Sequence, residues 1–228
     1  MTGRVKVGVA IAVGAVAVLS LGIALCVNRP FQAELGSYRT SLVDRSETQR
    51  HNIRQAAMAL DGNVIEPGDT FSFNETVGPR TPDRGYRDAP AYMERDLITS
   101  IGGGICQVSS TLYNAAALSG LLIVERHPHF RKVSSVPPGR DATVWYGAAD
   151  LRFTNTYPHP VKIVISSRAE SLRVSLFGSR YMDLPMDIFT ISRLDSTSNR
   201  LIVTSFRKYR NSQNGIERLP LYRDVYLK

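Results

Sequence analysis

The sequence predicts an α+β fold: an N-terminal transmembrane helix, then one mixed domain with a few early helices and an antiparallel β-rich second half. Three observations carry this reading. Val7 to Val27 is a run of 21 residues without a charge. Apolar residues at helical spacing are confined to Glu47–Leu60 and to the stretch after Gly102-Gly103-Gly104. From Leu121 onward, short apolar runs of strand length alternate with turn residues. The 228 residues are 43% hydrophobic and 21% charged, with 17 Gly and 12 Pro. That composition excludes a disordered chain, a collagen-like repeat and a disulfide-rich miniprotein.

The elements follow in order. At about 1.5 Å rise per residue, Val7–Val27 is long enough to cross a hydrocarbon core of about 30 Å. Arg4 and Lys6 precede it, so the N-terminus is expected in the cytoplasm and everything after Arg29 outside, on a single-pass cell-membrane protein. A cleaved signal peptide is the competing reading, but its apolar region should be shorter. Leu25 before Cys26 is too bulky for a lipoprotein cleavage site. Residues 30–46 read as an extended lead-in. In the Glu47–Leu60 helix, Ile53, Ala56, Ala57 and Leu60 share a face, and Asp61-Gly62 ends it. Residues 63–73 read as a strand, a Pro-Gly turn and a second strand, followed by a loop at 78–88. Short strands are expected at Ala91–Met93 and Leu97–Ile98. A helix after the three glycines would bury Val108, Leu112, Ala115, Ala116 and Ser119 and stop at Gly120. Leu121–Glu125 reads as a buried strand. Further strands are expected at Thr143–Tyr146, Leu151–Asn155, Val161–Ser166 and Leu172–Phe177, and a hairpin at Arg200–Tyr209 and Ile216–Tyr226 around Asn214-Gly215. The expected organisation is a cytoplasmic stub and anchor (1–29), a mixed domain (30–192) and a basic hairpin tail (193–228).

Charge narrows the function. The chain carries 28 Lys and Arg against 20 Asp and Glu, a formal charge of +8. Residues 30–192 hold 17 basic and 17 acidic residues, whereas 193–228 hold 8 basic and 3 acidic. A neutral body argues against nucleic acid as a partner, because that affinity rests on clustered Lys and Arg. The basic tail could meet anionic wall polymers or lipid headgroups, although its charges are spread over two strands and fit a solvated hairpin better.

Of two cysteines, Cys26 lies in the apolar run, so Cys106 is the only thiol expected outside the membrane and cannot form an intramolecular disulfide there. It stands just after Gly102-Gly103-Gly104, at the start of a helix. Helix N–H groups at that place stabilise a thiolate and could hold the oxyanion of an acyl intermediate. The bland alternative is a small buried hydrophobe between Ile105 and Val108. A thiol nucleophile needs a base and a group that orients the base. His127 and His129 flank Pro128 and are expected to point the same way, near the helix start; Asp141 and Asp150 are candidate orienters. His159, between two prolines, reads as a surface residue. Cys106, His127 and His129 lack a fourth donor at zinc-like spacing, so no metal is assigned. Asn74 and Arg80 are polar residues that could face a cleft.

The chain resembles the VanW family along much of its length. The resemblance rests on Phe71-Ser-Phe-Asn-Glu-Thr-Val-Gly-Pro-Arg-Thr, Gly85-Tyr86, Ile101-Gly-Gly-Gly-Ile-Cys-Gln-Val-Ser-Ser-Thr-Leu-Tyr-Asn-Ala, Val124-Glu-Arg-His, Val136-Pro-Pro-Gly-Arg-Asp-Ala-Thr-Val, Tyr146-Gly and Asp150-Leu-Arg-Phe-Thr-Asn, across about residues 36–180. It implies an anchored envelope protein linked to glycopeptide-resistance clusters. It also implies a cysteine L,D-transpeptidase that cross-links peptidoglycan stem peptides, with Cys106 as nucleophile, His129 as base and Asp141 in the Gly-Arg-Asp motif. Phe130 departs from the small residue usual after the histidine. Gly103, Gly104, Gln107, Arg80 and Arg140 are the expected substrate contacts, the arginines through a substrate carboxylate. No cofactor is implied. A non-catalytic peptidoglycan-binding or accessory module, a hydrolase on the same stem peptides and a redox-regulated thiol protein are the competing readings.

Overall fold

The computed structural model describes residues 31–93, 96–179, 187–210 and 215–227. The expected membrane span at 7–27 lies outside them. Among the described residues, no helix is long and apolar enough to cross a membrane.

Strand β1 (Ala33–Ser41) leads into helix α1 (Glu47–Leu60). Ser46 caps α1 by accepting from the Gln49 N–H, while the Gln49 side chain accepts from the Ser46 N–H. This reciprocal pair satisfies two donors that a helix start otherwise leaves open. Ile53, Ala56, Ala57 and Leu60 are buried along one face, as their spacing predicts. The strands on either side of Pro67-Gly68, β2 (Val64–Ile65) and β3 (Thr70–Ser72), enter different sheets. A short helix α2 (Phe73–Val77) follows β3, with Ser72 as its cap. The hairpin of β4 (Asp88–Met93) and β5 (Asp96–Ile101) is longer than the two short strands expected.

Helix α3 (Ile105–Leu118) is the centre of the molecule. Val108, Leu112, Ala115 and Ala116 are all inaccessible to solvent, and so are the polar Ser109, Ser110, Thr111 and Asn114. A helix buried all round must be wrapped on every side. On one side lies a four-stranded antiparallel sheet in the order β1, β9 (Ser171–Gly178), β8 (Val161–Ser167), β2. A second sheet joins β3, β7 (Arg152–Thr154) and β6 (Leu122–Glu125). The tail forms a third sheet from β10 (Asp187–Asp195), β11 (Arg200–Arg210) and β12 (Ile216–Leu227).

Three expectations need correction. Leu121–Glu125 is not a buried strand throughout: β6 lies at a sheet edge, and Leu122 and Val124 are about half exposed. Thr143–Tyr146 is not a strand. Thr143 bridges His127, and Trp145 bridges Ala149 across a turn at Gly147, whose φ of +81° an L side chain rarely adopts. The tail is a three-stranded sheet rather than a hairpin, because β10 runs across residues 187–195 and pairs along β11 from Asp187↔Lys208 to Asp195↔Arg200.

The loop before α3 is built against the backbone of β4. Asn52, fully buried on α1, donates to the carbonyls of Arg87 (2.9 Å) and Gly103 (3.1 Å) and accepts from the Arg87 N–H (2.9 Å). A Cβ on Gly103 would stand 2.4 Å from the Ala89 carbonyl oxygen and 2.6 Å from that of Pro90. Both are main-chain atoms and cannot swing aside. Gly103→Ala is therefore expected to cost about 1–3 kcal/mol, lowering the melting temperature by about 2–4 °C per kcal/mol. Thermal unfolding followed by circular dichroism measures this.

Candidate active site

Gly104, at φ +100°, caps α3 and makes Cys106 its second residue. The N–H groups of Ile105 and Gln107 bond to the carbonyls of Gly102 and Gly104, whereas the Cys106 N–H has no partner among the described residues. It is thus free to donate to a ligand beside its own thiol. Cys106 is partly buried, with Sγ 3.6 Å from the Val144 carbonyl oxygen.

The segment carrying Asp141 is stapled along α3 by the helix's polar side chains. Ser109 Oγ donates to the Ala142 carbonyl (2.6 Å), the Ala142 N–H donates to Ser110 Oγ (2.9 Å), and Asn114 Nδ2 donates to the Arg140 carbonyl (2.7 Å). These contacts explain why a buried helix holds so many hydroxyl and amide groups. Asp141, 1% exposed, then takes His129 by both ends: the His129 N–H donates to Oδ2 at 2.7 Å, and ring Nδ1 lies 2.7 Å from the same oxygen. That contact leaves Nε2 unengaged by Asp141, and the ring interacts electrostatically with Cys106.

The electrostatics shift Cys106 and His129 each toward its charged form. Burial alone would lower the His129 pKa, but hydrogen bonds to Asp141 and Cys106, and their negative charges, push it up to about 9. Burial alone would raise the Cys106 thiol; the His129 hydrogen bond and charge, with a contribution from the Arg80 charge, bring it below its ordinary value. Asp141 is held below the usual carboxylate range: burial opposes ionisation, and the His129 hydrogen bond and the Arg126 charge outweigh it.

Cys106 and His129 form part of the wall of a cleft of about 660 Å³, where Gly103, Gly104 and Gln107 also lie, while Asp141 stands outside its lining. Arg80 lines the same cleft, and its charge reaches the thiol. Its Nη1 donates to the Gly78 carbonyl (3.0 Å) and its guanidinium stacks on Phe73 and Tyr146, but the buried Nη2 has no partner among the described residues. Trp145 and Tyr146, each about half exposed, line the same cleft.

Other candidate residues are placed elsewhere. Arg140 does not line the cleft: Nε donates to Asn114 Oδ1 (2.6 Å) and the guanidinium covers the Tyr38 ring. Gln107 reaches the cleft wall, but its amide is occupied by Thr40, the Ser41 carbonyl and Arg45. His127 and His129 do not point the same way, because residues 127–129 are not a regular strand: His127 is exposed and bonded to Glu125 (2.9 Å). Asp150 orients no histidine; it accepts from Ser72 and the Asn74 N–H at the start of α2. The Asn74 amide holds the 145–149 turn and does not line the cleft. Phe130 is 59% exposed and leaves the cleft's shape unchanged. His159 is exposed. Among the described residues, no group of three or more His, Cys, Asp and Glu is arranged to hold a metal ion.

Three residues of the site escaped the sequence reading: Arg126, Asp224 and Tyr226. Arg126, its side chain fully buried, donates from Nε to the Asp141 carbonyl, from Nη2 to Asp141 Oδ1 (3.0 Å), and from Nη1 to both oxygens of Asp224 (2.5 Å each). Tyr226 donates its hydroxyl to Asp141 Oδ1 (2.5 Å). Arg126 lies beside His127 in the Glu-Arg-His motif and was legible as a charged residue there; the two tail residues carried no signal.

The sequence is similar to known proteins over part of its length. The protein YoaR of Bacillus subtilis (strain 168) is 46% identical over 146 residues, 64% of this chain and 48% of that protein. The vancomycin B-type resistance protein VanW of Enterococcus faecalis (strain ATCC 700802 / V583) is 31% identical over 139 residues, 59% of this chain and 50% of that protein. The chain thus spans about half the length of these curated relatives. No solved structure matches. A family model described as VanW like protein matches residues 48–177, more than half of the sequence and the source of Cys106, His129 and Asp141; the chain belongs to the VanW-like family.

Proposed function

We propose that this chain is a membrane-anchored, extracytoplasmic cysteine L,D-transpeptidase acting on peptidoglycan stem peptides. The observation that carries this reading is that Cys106 and His129 line one cleft, large enough for a peptide, with Asp141 bonded to the His129 ring behind them. Nucleophile, base and orienting carboxylate are the parts that acyl transfer through a thioester requires.

In the first half-reaction, the Cys106 thiolate attacks the carbonyl carbon of a donor amide, and the developing oxyanion takes the free Cys106 N–H. His129 imidazolium gives its proton to the leaving nitrogen, the C–N bond breaks, and the terminal D-amino acid departs as the thioester forms. In the second, an acceptor stem's neutral side-chain amine attacks the thioester. Its surplus proton passes to His129, and the C–S bond breaks to restore thiolate and imidazolium. The unpartnered Nη2 of Arg80 is suited to the carboxylate of the departing residue.

Three measurements test this. Incubation of the chain with defined tetrapeptide muropeptides should yield a thioester adduct by intact mass, or a cross-linked dimer, both lost in Cys106→Ala. Folded, reduced protein that yields neither is a binding or accessory module instead. Second, the rate of Cys106 alkylation by iodoacetamide should rise with pH at a midpoint below the ordinary thiol value of 9.0. In His129→Ala burial remains but the countercharge is gone, so the midpoint moves above that value and the rate at pH 7 falls about tenfold or more, at tenfold per pKa unit. Third, Arg80→Ala should raise KM by about tenfold or more for donors with a free terminal carboxylate, with little change for the same donors amidated; equal effects on both would remove the carboxylate role.

A further inference from the structure

The residues behind His129 do not all come from the segment that the family model covers. That model ends at residue 177, whereas Asp224 and Tyr226 lie on β12 of the tail sheet. Both are buried, Tyr226 completely. Asp141 accepts four side-chain and main-chain donors on its two oxygens. Oδ2 serves the His129 N–H and Nδ1; Oδ1 serves Arg126 Nη2 and the Tyr226 hydroxyl. Arg126 is shared, with one arm on Asp141 and the other gripped by both Asp224 oxygens.

Main-chain contacts tie β12 to the same place. The Leu227 N–H donates to the Phe130 carbonyl (2.8 Å), one residue past His129, and Leu227 bridges Arg131 in parallel. The Tyr226 hydroxyl also accepts from the Gly139 N–H (2.7 Å), two residues before Asp141. Gly139 lies so close to β11 that a Cβ there would stand 2.8 Å from Val203 Cγ1. The tail sheet therefore holds both loops that carry the base and its orienter.

We propose that the tail sheet is a working part of the Cys106–His129–Asp141 site, with Asp224 and Tyr226 as positioning residues that leave Asp141 Oδ2 to His129. The argument is one of charge and of geometry. Arg126 and Asp141 alone would neutralise each other and leave nothing for an imidazolium. Asp224 takes up the Arg126 charge, so that Asp141 retains one for His129. The charged and titratable groups around His129 are Cys106 in front, Arg80 in the same cleft, Asp141 beneath, and Arg126, Asp224 and Tyr226 behind, with the Tyr113 and Tyr222 rings flanking Arg126. Tyr226 sets the other limit, by drawing part of the Asp141 charge onto its own hydroxyl.

The inference rests on the thiolate–imidazolium reading, but its test needs no stem peptide, so a failed muropeptide assay leaves it standing. In the full-length chain in detergent, His129 is titrated by NMR and Cys106 by its alkylation rate. Asp224→Asn keeps the shape and removes the charge. It should lower the His129 midpoint by a unit or more, a tenfold change in its acid constant, and slow alkylation at pH 7 about tenfold; Asp224→Glu should restore both. Tyr226→Phe should raise the His129 midpoint, because Asp141 then shares its charge with one donor fewer. A merely structural role would move both variants toward the free-histidine value together, and that result, or no movement in either, overturns the proposal. If Asp224→Asn does not fold, Tyr226→Phe decides alone: an unchanged or lowered midpoint overturns it.

Discussion

An ionised carboxylate with 1% of its surface in water survives only if its lone pairs are met, and Asp141 meets that condition with four donors from three residues. Its own segment is fixed by hydroxyl and amide groups of α3; His129 and Arg126 come from the stretch after β6, and Tyr226 from β12. The rest of the site depends on this arrangement. The carboxylate selects the His129 tautomer that carries its proton on Nδ1 and, together with Cys106, offsets the cost of burying a cation there. The polar face of α3, the bend at 126–129 and the docking of the tail sheet all serve one anion.

The helix start supplies the other half of the chemistry, and it does so by subtraction. Three glycines let β4 and the loop before α3 approach until no side chain would fit at Gly103, and Asn52 locks that approach. The result is a thiol whose own N–H remains available. In the same cleft, the half-satisfied guanidinium of Arg80 provides a fixed positive charge on an apolar bed of Phe73 and Tyr146. Thiol, donor and cation are thus placed by packing before any ligand arrives.

Much of this was legible in the sequence, because it is written in local patterns. The helix at Glu47–Leu60 follows from its capping residues and one apolar face; the glycines mark the start of α3; a single thiol directs attention to Cys106. His129 and Asp141 could be nominated from residue type and motif. Their pairing could not, since it depends on how the segment around Pro128 bends. Arg140 was misjudged because an arginine next to a site residue looks the same in sequence whether it faces a ligand or Asn114. The edge position of β6 was hidden by its apolar composition. Asp224 and Tyr226 were invisible for a different reason: nothing within the alternation of a basic strand says which two residues will meet Arg126 and Asp141 more than 80 positions earlier.

That separation bears on the order in which the site comes into being. Arg126 reaches Asp224 across 98 positions and Tyr226 reaches Asp141 across 85. Closing loops of that size is slow compared with forming α3. Cys106 is therefore carried through the early stages of folding as an ordinary thiol, mostly protonated at neutral pH. The contacts that hold Asp141 behind His129 are complete only when β12 has docked, so the charged surroundings of the thiol are assembled late in folding.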